Sequence, residues 1–146
     1  MATSAPTASP SRRLSLPIIV RVGPGVTGEV RALAEWHFGG GERYCAACPG
    51  HCPDCPARLN SPETQEGWQV WDLAGRLSGQ VRAIPGAVLG WDMGTALEMG
   101  RALGIAPLAV VELLPVIEAE MIRQTNEKIE EGRCDGREEG FRSSRR

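Results

Sequence analysis

The stretch APLAVVELLPVIEAEMIRQTNEKIEE, residues 106–131, decides the fold of this chain. Its apolar residues recur at the three- and four-residue spacing of one helix face. The resulting stripe consists of Val110, Leu113, Leu114, Ile117 and Met121. A long helix with such a stripe needs other helices to cover it, because isolated helices gain little stability in water. Pro115 lies inside the pattern and predicts a kink or a split, since proline removes a helix hydrogen bond.

A second helix is predicted from the signal Asn60-Ser61-Pro62-Glu63 and runs to about Gly79. Ser61 is the expected N-cap, and Pro62 suits the first helical position because its missing N–H would have no partner there. The face predicted to be buried consists of Trp68, Trp71, Ala74 or Gly75, and Leu77. A shorter helix over residues 27–36 is expected to bury Val30, Leu33 and Ala34.

Residues 83–90 are predicted to form an apolar loop that leads into a further helix. Asp92 is the expected N-cap of that helix, and Gly104 is the expected stop. The side facing the core is predicted to consist of Ala96, Leu97, Gly100 and Leu103. The sequence therefore predicts a mainly α protein, a small three- to four-helix domain with an N-terminal cysteine-rich zinc knuckle and disordered tails.

Composition divides the chain into five segments. They are a disordered tail (1–14), an apolar arm and short helix (15–43), a zinc knuckle (44–59), a helical domain (60–131) and a charged flexible tail (132–146). The first tail is rich in Ser, Ala, Thr and Pro, which cannot bury enough apolar surface to order the chain. The apolar part of the arm is LPIIVRV, residues 16–22.

The knuckle begins with the stretch YCAACPGHCPDCP, residues 44–56, which contains four of the five cysteines of the chain. The predicted zinc ligands are Cys45, Cys48, Cys52 and Cys55. Four thiolates must converge at about 2.3 Å from a zinc ion, so the chain has to reverse between the two CxxC pairs. Pro49 and Gly50 favour this reversal, because they suit the central positions of a type II turn. A zinc ion with four protein ligands has no open position and is therefore structural rather than catalytic.

Other occupants of the knuckle remain open at this point. His51 or His37 is a possible substitute ligand, since zinc accepts three cysteines and one histidine equally well. The spacing of Cys45, Cys48, His51 and Cys55 also resembles that of an iron–sulfur ferredoxin, which makes such a cluster an alternative. A pair of disulfides, or no bound species, is the third possibility. Cys134 lies far along the chain and is expected to be a solitary thiol.

Charge and composition bear on the class of function. The net charge is −2, and basic and acidic residues are balanced around the knuckle, so electrostatics argue against nucleic-acid binding. A zinc-knuckle nucleic-acid-binding or regulatory adaptor is the alternative function. With two histidines and no Ser-His-Asp set, we expect no enzyme activity. No apolar run approaches the roughly 20 residues of a membrane span, and we expect a protein of the bacterial cytoplasm with reduced thiols, with association with the virion as the alternative.

Four stretches, in this order, resemble small tail-morphogenesis proteins of long-tailed bacteriophages, prophages and gene transfer agents. They are the run ending CPDCP, then SPETQEGWQVWDL, AIPGAVLGWDMGTALEMGRALGI and ELLPVIEAE, all within about residues 44–125. The resemblance implies a non-enzymatic protein that acts beside tail tube and tape-measure proteins as an assembly chaperone or its extension. The expected binding surfaces are the acidic last helix and the apolar segment 84–91.

Overall fold

The computed structural model describes residues 24–48, 50 and 54–143, and this part of the chain is mainly helical, as predicted. Its α-helices are α1 (Pro24–Trp36), α2 (Glu42–Ala47), α3 (Pro56–Leu59), α4 (Gln65–Arg76), α5 (Met93–Ala102) and α6 (Pro107–Ser143). Its strands are β1 (Val81–Ile84) and β2 (Ala87–Trp91). The predicted tail at residues 1–14 and the apolar arm at residues 16–22 lie outside the described residues.

Helix α6 is the central element, because α1, α4, α5 and β2 all pack against it. The predicted stripe is confirmed: Val110, Leu113, Leu114, Ile117 and Met121 are all buried. Val30 and Ala34 of α1 and Leu73 of α4 join the same core. Apolar burial of this kind is the main stabilising contribution to folding.

Helix α6 differs from its prediction in two ways. Pro115 does not split it, and the helix continues to Ser143, beyond the predicted end at Glu131. Pro115 is exposed, and so is Val111, whose carbonyl loses its partner to the proline. Because water can reach that carbonyl, the missing hydrogen bond is tolerated. The extension past Glu131 contains the good helix formers Glu and Arg, although three glycines lie among them.

Helix α4 begins three residues later than its signal predicted. Thr64 is the N-cap, and its Oγ1 accepts a hydrogen bond from the N–H of Gly67 at 3.1 Å. Ser61 instead donates its hydroxyl to the carbonyl of Ala57, at the end of α3. The residues that α4 buries are Gly67, Val70, Leu73 and Ala74, and Leu77 follows in the next turn. The prediction that Trp68 is buried is wrong: it is 49% exposed, since it lies about 200° around the helix from Val70.

Helix α5 follows its prediction closely. Asp92 is its N-cap, with a carboxylate oxygen 2.8 Å from the N–H of Thr95. Gly104 follows it with a φ of 72°, as a helix stop requires. Ala96 and Gly100 face the core, whereas Leu103 is largely exposed, contrary to the prediction. Leu103 lies at the C-cap, where the chain leaves the helix.

Residues 83–90 form most of a β-hairpin rather than the predicted loop. The paired residues are Val81 with Trp91, Arg82 with Gly90, Ala83 with Val88, and Ile84 with Ala87. Pro85 and Gly86 make the turn, in which Gly86 has a φ of 85°. Proline followed by a residue with positive φ is typical of a type II turn. Leu89 has no partner in this register, so the hairpin contains a one-residue bulge.

Candidate functional site

The predicted knuckle contains two short helices and the connection between them. Cys45 lies in α2, Cys48 is the C-cap of α2, and Cys55 is the N-cap of α3. Gly50 has a φ of 88°, the left-handed conformation that the predicted turn needs. Cys52 and its possible substitute His51 lie outside the described residues, as does Pro49. The structure thus describes three of the four predicted cysteine ligands.

Cys45 interacts with both of the other described cysteines. The thiol of Cys55 has the larger influence on Cys45, and Cys48 acts on it electrostatically. Desolvation raises the pKa of the Cys45 thiol above its ordinary value, and the neighbouring Cys55 and Cys48 add to the increase. In the parts of the chain that the structure describes, no three His, Cys, Asp or Glu side chains form a group that could hold a metal ion. Cys134 belongs to the final part of α6 and lies far from this segment in the sequence.

His37, the other possible substitute ligand, lies in the turn that follows α1. Its ring meets the edge of Phe38 at a centroid distance of 5.0 Å and the edge of Trp71 at 5.4 Å. His37 therefore contributes to an aromatic cluster between the turn and α4. This contact with Trp71 links the segment before the knuckle to the helical core.

The hairpin is attached to α6 by polar side chains. Asn126 pairs with the backbone of Val88, accepting from its N–H at 2.8 Å and donating to its carbonyl at 3.1 Å. Glu118 accepts a hydrogen bond from the N–H of Trp91 at 2.6 Å. These side chains take the place of a third strand beside β2, since they satisfy backbone groups that a neighbouring strand would otherwise pair.

Gly90 allows this attachment. Its φ of 138° is one that residues with a Cβ rarely adopt. A Cβ at this position would also overlap the Oε1 of Glu118 and lie 3.0 Å from its carboxyl carbon. Only glycine therefore lets β2 approach α6 closely enough for the Glu118 hydrogen bond.

The attachment changes the interpretation of the acidic helix. Glu118 binds the hairpin, while Glu120 and Glu127 pair with Arg123 at 2.9 and 3.1 Å. These three carboxylates are engaged within the protein, which leaves less of the helix as a free acidic surface than the sequence suggested. Sequence reasoning missed Glu118 and Asn126 as hairpin anchors, because they lie 27 and 38 residues from their partners.

The outer edge of β1 is open. All four residues of β1 are exposed. The N–H and the carbonyl of Val88 both point away from β1, because both are hydrogen-bonded to Asn126. Ala83 is paired with Val88, so the N–H and the carbonyl of Ala83 point away from β2, to the outer side of β1. Among the described residues, none forms a hydrogen bond with the outward N–H or carbonyl of Ala83. This edge could therefore accept another strand.

A cleft of about 480 Å³ lies beside β1. Its aromatic residues are His37, Phe38, Trp71 and Trp91, and its remaining walls include Glu42, Val81 and Met121. Val81 belongs to β1, so the open edge and the cleft are adjacent. Ile84, beside the turn, and Leu89, at the centre of β2, do not line the cleft, although they are 53% and 50% exposed.

Comparison with known proteins gives one family match. Residues 82–134 match the model of a protein family described as a family of unknown function (DUF7697). Curated proteins and solved structures gave no match. In the described residues, no helix is both long and apolar enough to cross a membrane. The matched region contains nearly all of the hairpin, α5 and much of α6, so the chain is similar to this family in the unit built around Gly90, Glu118 and Asn126.

Proposed function

We propose that the protein is a non-enzymatic assembly protein of phage or prophage tails, which binds an extended segment of a tape-measure or tail-tube protein. The tail system follows from the sequence resemblance, and the mode of binding from the structure. The proposed mode of binding rests on β1, which is exposed and whose outer edge has no backbone partner among the described residues. Strand addition to such an edge is a common way for proteins to recognise extended peptides.

An added strand would have to pair with β1, because Asn126 and Glu118 already occupy the outer side of β2. Proteins usually protect an exposed edge with a charged side chain that projects into the position of an incoming strand. Arg82 is the charged residue of β1, but its Nε donates to the carbonyl of Trp91 at 3.0 Å. This hydrogen bond holds Arg82 toward β2, so the outer edge keeps its capacity to pair.

We further propose that Cys45, Cys48, Cys52 and Cys55 hold a structural zinc ion. The support is the pattern of two CxxC pairs, since zinc prefers thiolate ligands, together with the interaction of Cys45 with Cys55 and Cys48. Cys52 would complete the tetrahedron. Such an ion would join α2 to α3. Since α3 packs against α1, the knuckle would also be tied to the helical core.

Co-expression with tail proteins tests the binding proposal. We expect the protein to co-purify with a tape-measure or tail-tube protein from the same genome. Ala83→Pro removes the outward N–H and should abolish this capture, while a proline remains tolerable at a sheet edge. Ala83→Val, the matched control, keeps the N–H and should bind normally. Capture by Ala83→Pro at the wild-type level, with both variants folded by circular dichroism, would show that β1 is not the docking edge.

The same preparations test the alternative function of a zinc-knuckle nucleic-acid adaptor. Retention on DNA that weakens steeply with added salt would favour this alternative, because phosphate contacts release counterions. The tail-assembly proposal predicts no such retention by the purified protein.

Metal analysis tests the zinc proposal. We expect about one zinc ion per chain and a lower melting temperature after chelation, because structural zinc contributes directly to folding. Cys45→Ser and Cys55→Ser should lose the metal, whereas Cys134→Ser should retain it. Iron and visible absorption would instead identify an iron–sulfur cluster. A metal-free protein whose melting does not respond to chelators would disprove metal binding.

A further inference from the structure

The cleft beside β1 has the size and walls of a ligand site. Its volume of about 480 Å³ falls among those of small-molecule pockets, which span roughly 300 to 1,000 Å³. The aromatic rings come from separate parts of the fold: His37 and Phe38 from the turn after α1, Trp71 from α4 and Trp91 from β2. The rings of His37, Phe38 and Trp71 are half-buried and give a surface that attracts apolar or cationic groups, whereas Trp91 is 3% exposed.

The walls of the cleft are held in place by contacts outside it. Lys128 of α6 donates a hydrogen bond to the carbonyl of Phe38, which fixes the turn against α6. The rings of His37 and Trp71 are nearly perpendicular, with their centroids 5.4 Å apart. On the other side, the backbone of Trp91 is bound by Glu118. A site whose walls are fixed before binding loses less entropy when a ligand enters.

The charge of the cleft selects among ligands. Among the described residues that line it, Glu42 is the one carboxylate, and neither lysine nor arginine is present. Glu42 comes from α2 and is exposed. A carboxylate beside aromatic faces favours a cation, since both attract positive charge. A guanidinium is especially suitable, because it can stack on a ring and pair with a carboxylate at once.

We infer that this cleft binds a positively charged side chain, an arginine, carried by the partner segment that pairs with β1. That the arginine belongs to a tail protein rests on the proposed function, whereas the preference of the cleft for a cation does not. Val81 belongs to both β1 and the wall of the cleft, so a strand added to β1 would pass its mouth. Side chains of a strand alternate between its two faces, so a residue of the partner can point inward.

A small probe tests the cleft without any partner protein. N-acetyl-arginine amide is titrated into ¹⁵N-labelled protein, with N-acetyl-citrulline amide as the uncharged isostere. We expect the indole N–H signals of Trp71 and Trp91 to shift, while that of Trp68, which is 49% exposed and does not line the cleft, stays in place. The arginine probe should bind about tenfold more tightly than the citrulline probe. Equal binding of the two, shifts of all tryptophans alike, or no shifts would overturn the inference.

Two pairs of variants locate the interaction. Trp71→Leu keeps apolar volume but removes the ring face and should weaken arginine binding about fivefold or more, whereas Trp68→Leu should not. Glu42→Gln should weaken it about threefold, and Glu112→Gln, on the exposed part of α6, should leave it unchanged. Unchanged affinity in Glu42→Gln would contradict the charge argument even if Trp71→Leu were too unstable to measure.

The amide titration and the capture assay with Ala83→Pro test the cleft and the β1 edge separately. If the free amide binds but Ala83→Pro still captures the tail protein, the cleft is supported and the β1 edge is not. If Ala83→Pro abolishes capture while the amide does not bind, the edge is supported and the cation site is wrong.

Discussion

Replacing Gly90 by alanine tests how the hairpin is attached to the core. The new Cβ would overlap Oε1 of Glu118, and the φ of 138° would strain any residue that has a side chain. The backbone strain costs about 1–3 kcal/mol. Displacing Glu118 would leave the N–H of Trp91 without its partner, at a further cost of about 1–3 kcal/mol, since Trp91 is 3% exposed. We therefore expect a loss of about 4 kcal/mol, a large fraction of the stability of an ordinary domain.

Urea denaturation followed by circular dichroism measures this loss. Glu118→Ala alone should cost about 1–3 kcal/mol, because it leaves the same N–H unpaired. In Gly90→Ala/Glu118→Ala the overlap is gone, so the double variant should be more stable than the sum of the two single effects predicts. Gly28→Ala is the matched control: nothing lies within 4 Å of its new Cβ, and it should stabilise the exposed face of α1 by about 0.5–1 kcal/mol.

Two results would refute the reasoning. If Gly90→Ala unfolds at the wild-type urea concentration, neither the strain nor the close approach exists. If the effects of Gly90→Ala and Glu118→Ala are strictly additive, the contact between these residues is not the source of the cost.

Three further predictions concern the core and the helix caps. Leu113→Ala should cost about 2–5 kcal/mol in urea denaturation because Leu113 is fully buried, whereas Leu108→Ala, 47% exposed, should change stability little. The hydrogen bond from the N–H of Thr95 lowers the pKa of Asp92 below its ordinary 3.8. Wild type should therefore be more stable than Asp92→Ala by a constant amount above pH 3.8, and this difference should disappear as the pH falls through the pKa of Asp92 in the folded state. Thr64→Ala should destabilise by about 1 kcal/mol in the same assay, whereas Thr64→Ser keeps a capping hydroxyl and should stay close to wild type; equal losses in the two variants would mean that the cap is misassigned.

Much of the helical core could be predicted from spacing alone. The stripe of α6 and the buried residues of α1 are correct because an apolar face at helical period has to be covered by other helices. The caps at Asp92 and Gly104 are correct because they depend on local backbone chemistry. The prediction for Trp68 was wrong, since size and hydrophobicity do not decide which side of a helix meets α6.

The hairpin had a local signal that a simple loop prediction overlooked. Pro85 and Gly86 lie between two short apolar runs, and this dipeptide is typical of a type II turn. The bulge at Leu89 interrupts strict alternation, which makes the second strand hard to recognise from its sequence. The candidate binding surface depends on this hairpin, so its edge could not be derived from the helix pattern.

The sequence by itself determined the class of the fold, the central helix and the chemistry available in the knuckle, because periodicity, caps and cysteine spacing are local properties. Tertiary structure alone decided that Glu118 and Asn126 bind β2, that β1 keeps an open edge, and that four aromatic rings line one cleft. These features join residues far apart in the chain. Their distances are set by how the helices pack, which no local pattern contains.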